Sequence, residues 1–389
     1  MAFVKQFLDD KVVAKAADTM VNETLRYLYE RSDVLKECVP IKETQSFDWK
    51  GLLFKEEAPV ATLVADDQEI PLRSFGKFEE VIASGFNIAD SYMYDESTMK
   101  DMYKAMTDAA LQGTSVMSYR DEKGKVSKPG TNDDLAQIIF GSIATLTKGI
   151  MDKLDSLTWE ALQTGSISST SVNTNINIQS INYKDPNADY NHFPTALTDT
   201  GNPVASLNRW SDYENADGIS NLYAAIDTFQ DTNGFQPKYI CLSRKAFNHL
   251  RSQKSTQRAV ASSFNTLGIV SAERLVDTIK NNLIDCEIKI IEDRYQVRDA
   301  KGRVQRVRFL NEDTIVFMHP QMGQRWVAPT IDSVANTIEE GNTLLRPKPG
   351  LFIKTYEKQV QPKRDVTYGK MTAAPVFLEP RLFFSWKVN

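Results

Sequence analysis

Catalysis and metal binding draw on histidine, cysteine and carboxylate at close spacing, and this chain offers few such groupings. Its histidines are His192, His249 and His319, widely separated and without a His-Glu-x-x-His pair. Cys38, Cys241 and Cys286 form neither a Cys-x-x-Cys half-site nor a disulfide framework, which suits a reducing compartment. Folding could bring His249 or His319 beside Cys241 or Cys286, but satisfied or surface histidines beside buried thiols are the favoured reading. Cys38 lies in a helix-forming stretch, a poor setting for a nucleophile, and no Gly-x-Ser-x-Gly elbow occurs.

Phosphate cradles need glycines at fixed offsets so that backbone N–H groups can surround the anion. The Gly-Lys pairs are Gly76-Lys77, Gly124-Lys125 and Gly369-Lys370, and the earlier glycine each requires is instead Pro71, Tyr119 or Arg364. No Gly-x-Gly-x-x-Gly is present. The 51 acidic residues leave room for a glycosidase-type carboxylate pair, a carbohydrate-active enzyme being the reading it would support, yet no spacing marks one. Arg294-Tyr295 and the run Arg303–Arg308 mix basic and aromatic residues as a nucleic-acid surface does. Alternation of Val304, Val307 and Phe309 with Arg303, Arg306 and Arg308 fits a strand with a solvated or interfacial charged edge better.

With 46 basic and 51 acidic residues among 389, the formal charge is 46 − 51 = −5, against a dedicated duplex-DNA reader. Apolar residues at 41% and charged residues at 25% are globular values, and no uncharged apolar stretch is long enough to cross a bilayer. The opening Met-Ala-Phe-Val-Lys-Gln-Phe-Leu-Asp-Asp meets two acids before any leader-length apolar run, so a secretory leader is not expected. Fold signals are plentiful and catalytic signals sparse, which favours a structural or binding role.

Residues 1–45 carry one narrow helical stripe, Val12, Ala16, Met20, Leu25 and Leu28, which has to pack on something else. Residues 46–92 are short strand-like runs punctuated by charge, an extended hairpin with little hydrophobic mass that makes physical sense if another chain covers it. Residues 97–112 predict a short helix bearing Met99, Met102, Tyr103 and Met106, a packed face by default.

From Asp133 to about Thr164, apolar residues from Leu135 to Leu162 keep a three-four spacing, with acids in the first turn and Gly165 as the stop. At ~1.5 Å per residue that helix is about 48 Å long, suited to an extended body. Val172, Thr174, Ile176 and Ile178 alternate as in a half-buried strand. From Trp210 to about Pro329 helices and strands alternate. Expected there are a helix ending at Asn233-Gly234, a strand through Leu242, helices capped by Ser243 and Ser271, strands at Glu287–Ile291, Thr314–Met318 and Arg325–Ala328, and a turn at Asp299–Gly302 between two further runs. The alternating terminal run around Leu382, Phe384, Trp386 and Val388 predicts a strand whose candidate partner is Val172–Ile178.

Three segments in order resemble the capsid protein E family of tailed bacteriophages, the lambda-like branch of the Hong Kong 97 fold. They are Val64-Ala-Asp-Asp-Gln-Glu-Ile-Pro-Leu72 running on through Arg73–Asp90, then Trp210 to Leu222 with Pro237–Leu250, and finally Lys358-Gln-Val-Gln-Pro through Ala374-Pro-Val-Phe-Leu-Glu-Pro380. The resemblance implies an α+β chain with an N-terminal arm (1–45), an extended E-loop (46–92) and a P-domain (93–209) with a spine helix near 133–164. An inserted A-domain (210–344) and a return to the P-domain (345–389) complete it. The parts read from the residues come in the same order.

It further implies a major capsid protein that is not an enzyme and needs no cofactor or metal. Hexamers and pentamers would form the icosahedral head around double-stranded DNA bound without sequence specificity, after assembly in the host cytoplasm and without a membrane. A separate scaffolding protein, a portal and decoration proteins are the implied partners, and an encapsulin-like compartment shell is the alternative. Inter-subunit contact candidates on the loop are Phe54, Lys55, Val64, Asp66, Ile70, Arg73 and Lys77.

Overall fold

The computed structural model describes residues 11–44, 48–54, 78–94, 97, 100, 131–167, 181–182, 209–260, 270–281, 286–298, 303–320, 322–330, 343–345, 350–358, 364–377 and 382–389. Helix α1 (Lys11–Glu30) turns at Arg31-Ser32 into α2 (Asp33–Cys38), whose first turn is capped by the Ser32 hydroxyl accepting from the Leu35 N–H at 3.3 Å. Ala17, Val21, Leu25 and Leu28 are buried on α1, so the stripe at its start runs one residue later than the spacing of Ala16 and Met20 predicts. Strand β1 (Ile41–Glu43) follows. Strands β2 (Asp48–Phe54) and β3 (Phe78–Ser84) form an antiparallel hairpin, and β4 (Phe86–Tyr94) continues from it.

The three-four pattern produces α3, Thr131–Thr164, which starts two residues before the expected Asp133 and stops as expected, with Gly165 at φ 71° just past its end. Ile143, Leu146, Ile150, Leu154 and Leu162 are buried along it. Two short strands, β5 (Ser166–Ile167) and β6 (Ile181–Asn182), pair behind it. The helix expected over 97–112, apart from positions 97 and 100, and the strand expected over Val172–Ile178 lie outside the described residues.

The next segment alternates as expected. It comprises α4 (Gly218–Asn233), β7 (Tyr239–Leu242), α5 (Arg244–Ser252), α6 (Lys254–Val260), α7 (Ala272–Lys280), β8 (Glu287–Ile290), β9 (Arg294–Arg298), β10 (Val304–Arg308), β11 (Thr314–Met318) and β12 (Gly323–Ala328). Side chains of Asp217, Ser243 and Ser271 accept from N–H groups in the first turns of α4, α5 and α7. The chain closes through β13 (Thr343–Leu345), β14 (Phe352–Lys358), the 14-residue β15 (Arg364–Phe377) and β16 (Phe383–Lys387).

Two sheets organise the molecule. In one, β15 pairs with β14 along its first half, with β12 along its second, and with β4 from Asp365 to Ala373, while β1 lies parallel to β12 and β13 flanks β14. The other has the order β16-β11-β7-β8. Strands β7, β11 and β16 are apolar on both faces because both are covered. Tyr239, Cys241, Val316, Met318 and Phe383 pack in the cluster containing α1, α2 and α3, whereas Ile240, Leu242, Ile315, Phe317, Phe384 and Trp386 pack against α4, α5 and α7. Each such side chain taken from water contributes about 1.5–3 kcal/mol.

The terminal strand β16 runs antiparallel to β11, from Thr314↔Lys387 to Met318↔Phe383; its expected partner Val172–Ile178 lies outside the described residues. Alternation in β16 places Phe383 in one cluster and Phe384 with Trp386 in the other, so it needs a sheet buried on both sides. Conversely β12, expected with its sequence neighbours, leaves them for β15 and β1. The two sheets therefore exchange strands at the carboxyl end.

Candidate functional site

Three places in the fold could carry function. The first joins the N-terminal helices to α3. Arg31, at the α1–α2 turn, donates from Nη1 to Asp152 Oδ1 (2.6 Å) and from Nη2 to Asp155 Oδ2 (2.7 Å). Arg325 on β12 donates from Nη1 to the other Asp155 oxygen at 2.6 Å and from Nε to the Val39 carbonyl at 2.9 Å. The side chains of Arg325 and Asp155 are only 2% and 4% exposed. Burial pushes the Asp155 carboxyl up, while the guanidinium charges of Arg325 and Arg31 act against it. Two cations and two anions balance, and Arg31 also lies 5.2 Å over the Phe309 ring.

That arrangement holds rather than reacts. Both carboxylates that α3 brings here, Asp152 and Asp155, are engaged by arginine. The adjoining backbone completes the clamp, with the Arg325 N–H donating to the Pro40 carbonyl at 2.8 Å and the Thr44 N–H to the Val327 carbonyl at 3.0 Å.

The other groups weighed for chemistry are the cysteines and histidines. Burial raises the thiols of Cys38 and Cys286 to about 12, and it also raises that of fully enclosed Cys241 well above its ordinary value. His249 Nδ1 meets the Tyr213 hydroxyl at 2.9 Å, and burial lowers the ring's pKa. His319 stacks on Phe235 at 4.5 Å. Among the described residues no three His, Cys, Asp or Glu side chains gather as a metal site, and no helix is long and apolar enough to cross a membrane.

The second place is the β2–β3 hairpin. Its ladder runs from Asp48↔Ser84 to Phe54↔Phe78, and among the described residues no third strand joins it. Such a pair is marginal by itself in water. It is rooted where β3 passes into β4 at Gly85. A Cβ there would come within 2.6 Å of Thr372 Cγ2 and 3.1 Å of the Trp326 ring, so glycine permits the close approach. Phe54 is the last residue of β2; Lys55, Val64, Asp66, Ile70, Arg73 and Lys77 lie outside the described residues.

The third place is a groove of about 1490 Å³ between β4 and β9, floored by α3. Residues 86–93 and 294–297 line its two walls in unbroken runs. Each wall strand has one partner among the described residues: β4 pairs with β15 and β9 with β10. Two strand edges thus face each other across the groove. The register of β9 and β10 places Val304, Arg306, Arg308 and Arg294 on one face by period-two alternation. The sequence reading set Val304 opposite these arginines, but it shares their face. Val304 is 55% exposed and Val307 38%.

Sequence reasoning missed Arg325 and the strand-edge groove. A buried arginine in an apolar strand was visible as an interruption of Gly323–Ala328, but its partner is 170 residues away in sequence.

No family model matches the chain, and no curated protein matches it. Solved structures do. A protein assigned to the capsid of an Escherichia coli CFT073 prophage superposes with a TM-score of 0.52 at 14% identity, covering 95% of this chain and 99% of that one. A phage-related protein from Bordetella bronchiseptica RB50 gives 0.47 at 12% identity over 94% and 95% of the two chains. A satellite phage P4 procapsid chain gives 0.45 at 10% identity over 94% and 90%. On the first of these, end-to-end coverage of both chains shows a shared fold, and the chain has the Hong Kong 97-type architecture of phage capsid proteins.

Proposed function

We propose that this chain is the major capsid protein of a tailed bacteriophage, self-assembling through hexamers and pentamers into an icosahedral head around double-stranded DNA. The observation that carries the reading is the β2–β3 hairpin. It pairs only with itself among the described residues, yet is fixed at Gly85 to a sheet that is otherwise integrated with α3. A strand pair of this kind gains stability when another chain covers it, and repetition around a closed symmetry lets many modest contacts sum to a durable shell. The capsid-type fold supports the same reading.

Within it, residues 46–92 serve as the E-loop, with Phe54, Lys55, Val64, Asp66, Ile70, Arg73 and Lys77 as its contacts on a neighbouring subunit. The α3 helix and the β15 sheet form the P-domain, and the β11 sheet with α4, α5 and α7 forms the A-domain. Residues 31–44 are clamped within the chain, so the arm that can contact other subunits is confined to the segment before Arg31. The virion is the proposed location, with assembly in the host cytoplasm. A separate scaffolding protein, a portal and packaged DNA are the proposed partners.

Electron microscopy of the chain co-expressed with its neighbouring head genes tests this. Shells of phage-head size that package DNA are expected. Small DNA-free cages would favour a cellular compartment instead, and a soluble monomer under every condition would overturn the reading.

A further inference from the structure

We infer that the Asn233-Gly234 junction at the C-terminal end of α4 is a self-modifying site, where asparagine converts to aspartate and isoaspartate in the folded chain. Asp217-Gly218, at the other end of the same helix, is sealed against the same chemistry. The inference is independent of the proposed shell function.

Of the chain's asparagines only Asn233 precedes a glycine, and of its aspartates only Asp217 does. The two dipeptides bracket α4. Glycine has no Cβ to shield its backbone nitrogen, so that nitrogen can approach the preceding side chain closely. At Asn233 the Gly234 nitrogen attacks Cγ, and the new C–N bond closes a succinimide ring. The Cγ–Nδ2 bond breaks, and the amide leaves as ammonia, taking the proton that the glycine nitrogen gives up. Water then opens the ring at either carbonyl, leaving aspartate or isoaspartate. Water is the co-reactant, and no oxidant or reductant is needed. At Asp217 the same closure would expel water instead of ammonia.

The two caps hold their junctions differently. The Asp217 carboxylate accepts from the Ser220 N–H at 3.3 Å and from the Ser220 hydroxyl at 2.8 Å. The Gly218 N–H donates to Gln253 Oε1 at 2.8 Å, and Gln253 is fully buried. A Cβ on Gly218 would strike Leu250 and Gln253, so this nitrogen is walled in by the packed body. Gly234, by contrast, is exposed at φ 79°, with nothing within 4 Å of where a Cβ would stand. Two bonds of the last turn hold that end: Gly234 N–H to the Gln230 carbonyl at 2.7 Å, and Asn233 Nδ2 to the Phe229 carbonyl at 3.0 Å. Helix ends fray far more readily than packed interiors open, and fraying here frees the nucleophile and its target together.

The product places a carboxylate at the negative end of α4, two residues from Asp231 and with no basic residue in the last turn. Isoaspartate also lengthens the backbone by a methylene, which moves Phe235 relative to Phe229 and His319, its ring partners at 6.3 and 4.5 Å.

Peptide mapping by mass spectrometry tests the assignment on the full chain, folded or unfolded in guanidinium, during warm, mildly alkaline incubation. Each junction's rate in the folded chain is divided by its rate in the unfolded chain, which cancels the intrinsic difference between amide and acid. Aspartate and isoaspartate are expected at position 233 of the folded chain, and protection at Asp217 should exceed that at Asn233 by about tenfold or more. Equal protection at the two ends, or no conversion of Asn233 in the folded chain, would overturn the inference. Asn233→Gln, whose longer side chain closes a ring far more slowly, should abolish the new acid form. Asn233→Asp imitates one product, and hydrogen exchange in its last α4 turn should run about two- to fivefold faster than in the parent. Unchanged exchange there would overturn the consequence assigned to the added charge.

Discussion

The two sides of α3 have opposite fates. Toward the N-terminal helices and β15 it buries Ile143, Leu146 and Leu154 and engages Asp155 with arginines from distant parts of the chain. Toward the groove it presents Lys148 and Lys153 to solvent, facing strand edges that lack a second partner among the described residues. One side is solved within the molecule. The other is open, and the β2–β3 hairpin pairs only with itself among the described residues.

The sharpest way to break the comparison is at the buried charges. Asp155→Ala leaves the buried Arg325 without an anion and Arg31 with Asp152 alone, and should cost about 3–5 kcal/mol in denaturant unfolding. Converting Arg325 and Asp155 together to Met and Leu should recover most of it, since an apolar pair avoids the desolvation penalty. Next in size is Gly369→Ala. Its new Cβ collides with Leu146 and Ile150 where α3 sits on β15, an overpacking worth about 1–3 kcal/mol.

Smaller still is Glu37→Gln. Glu37 accepts from Lys238 and from the Tyr239 hydroxyl, and those bonds, the Lys238 one foremost, hold its carboxyl below the ordinary range. A depressed acid contributes stability above its unfolded-state pKa and loses it as pH falls through the folded one. The half-exposed pair is screened, so the variant should lose about 0.5 kcal/mol near neutrality, with the difference fading in acid, as thermal melts across pH would record. At the low end, Val304→Thr with Val307→Thr should shift subunit stability by less than ~0.5 kcal/mol while reducing assembly measured by light scattering. A large loss of stability there would mean that Val304 and Val307 belong to the subunit's own core.

Much of the frame was legible because it depends on local periodicity. The three-four spacing from Leu135 to Leu162 and the stop at Gly165 locate α3 almost to the residue. Ser243, Ser271 and Asn233-Gly234 mark helix ends because capping is a contact between residues three or four apart. The failures concern partners. Alternation in Phe383–Lys387 tells which side chains share a face, and nothing about the strand alongside, so β11 was not foreseen. Arg325 and Asp155 carry no mutual signal in sequence. The groove exists only once β4 and β9, two hundred residues apart, are brought over the same helix.

The central claim is that the loop between β2 and β3 is stabilised by sister copies rather than by its own chain. It is tested most directly by replacing residues 55–77 with an Asn-Gly turn, which closes the Phe54↔Phe78 pair, and comparing sedimentation and melting with the full chain. The account predicts an unchanged melting temperature for the subunit and no sedimenting shells. Shells formed as readily without the loop as with it would contradict the account.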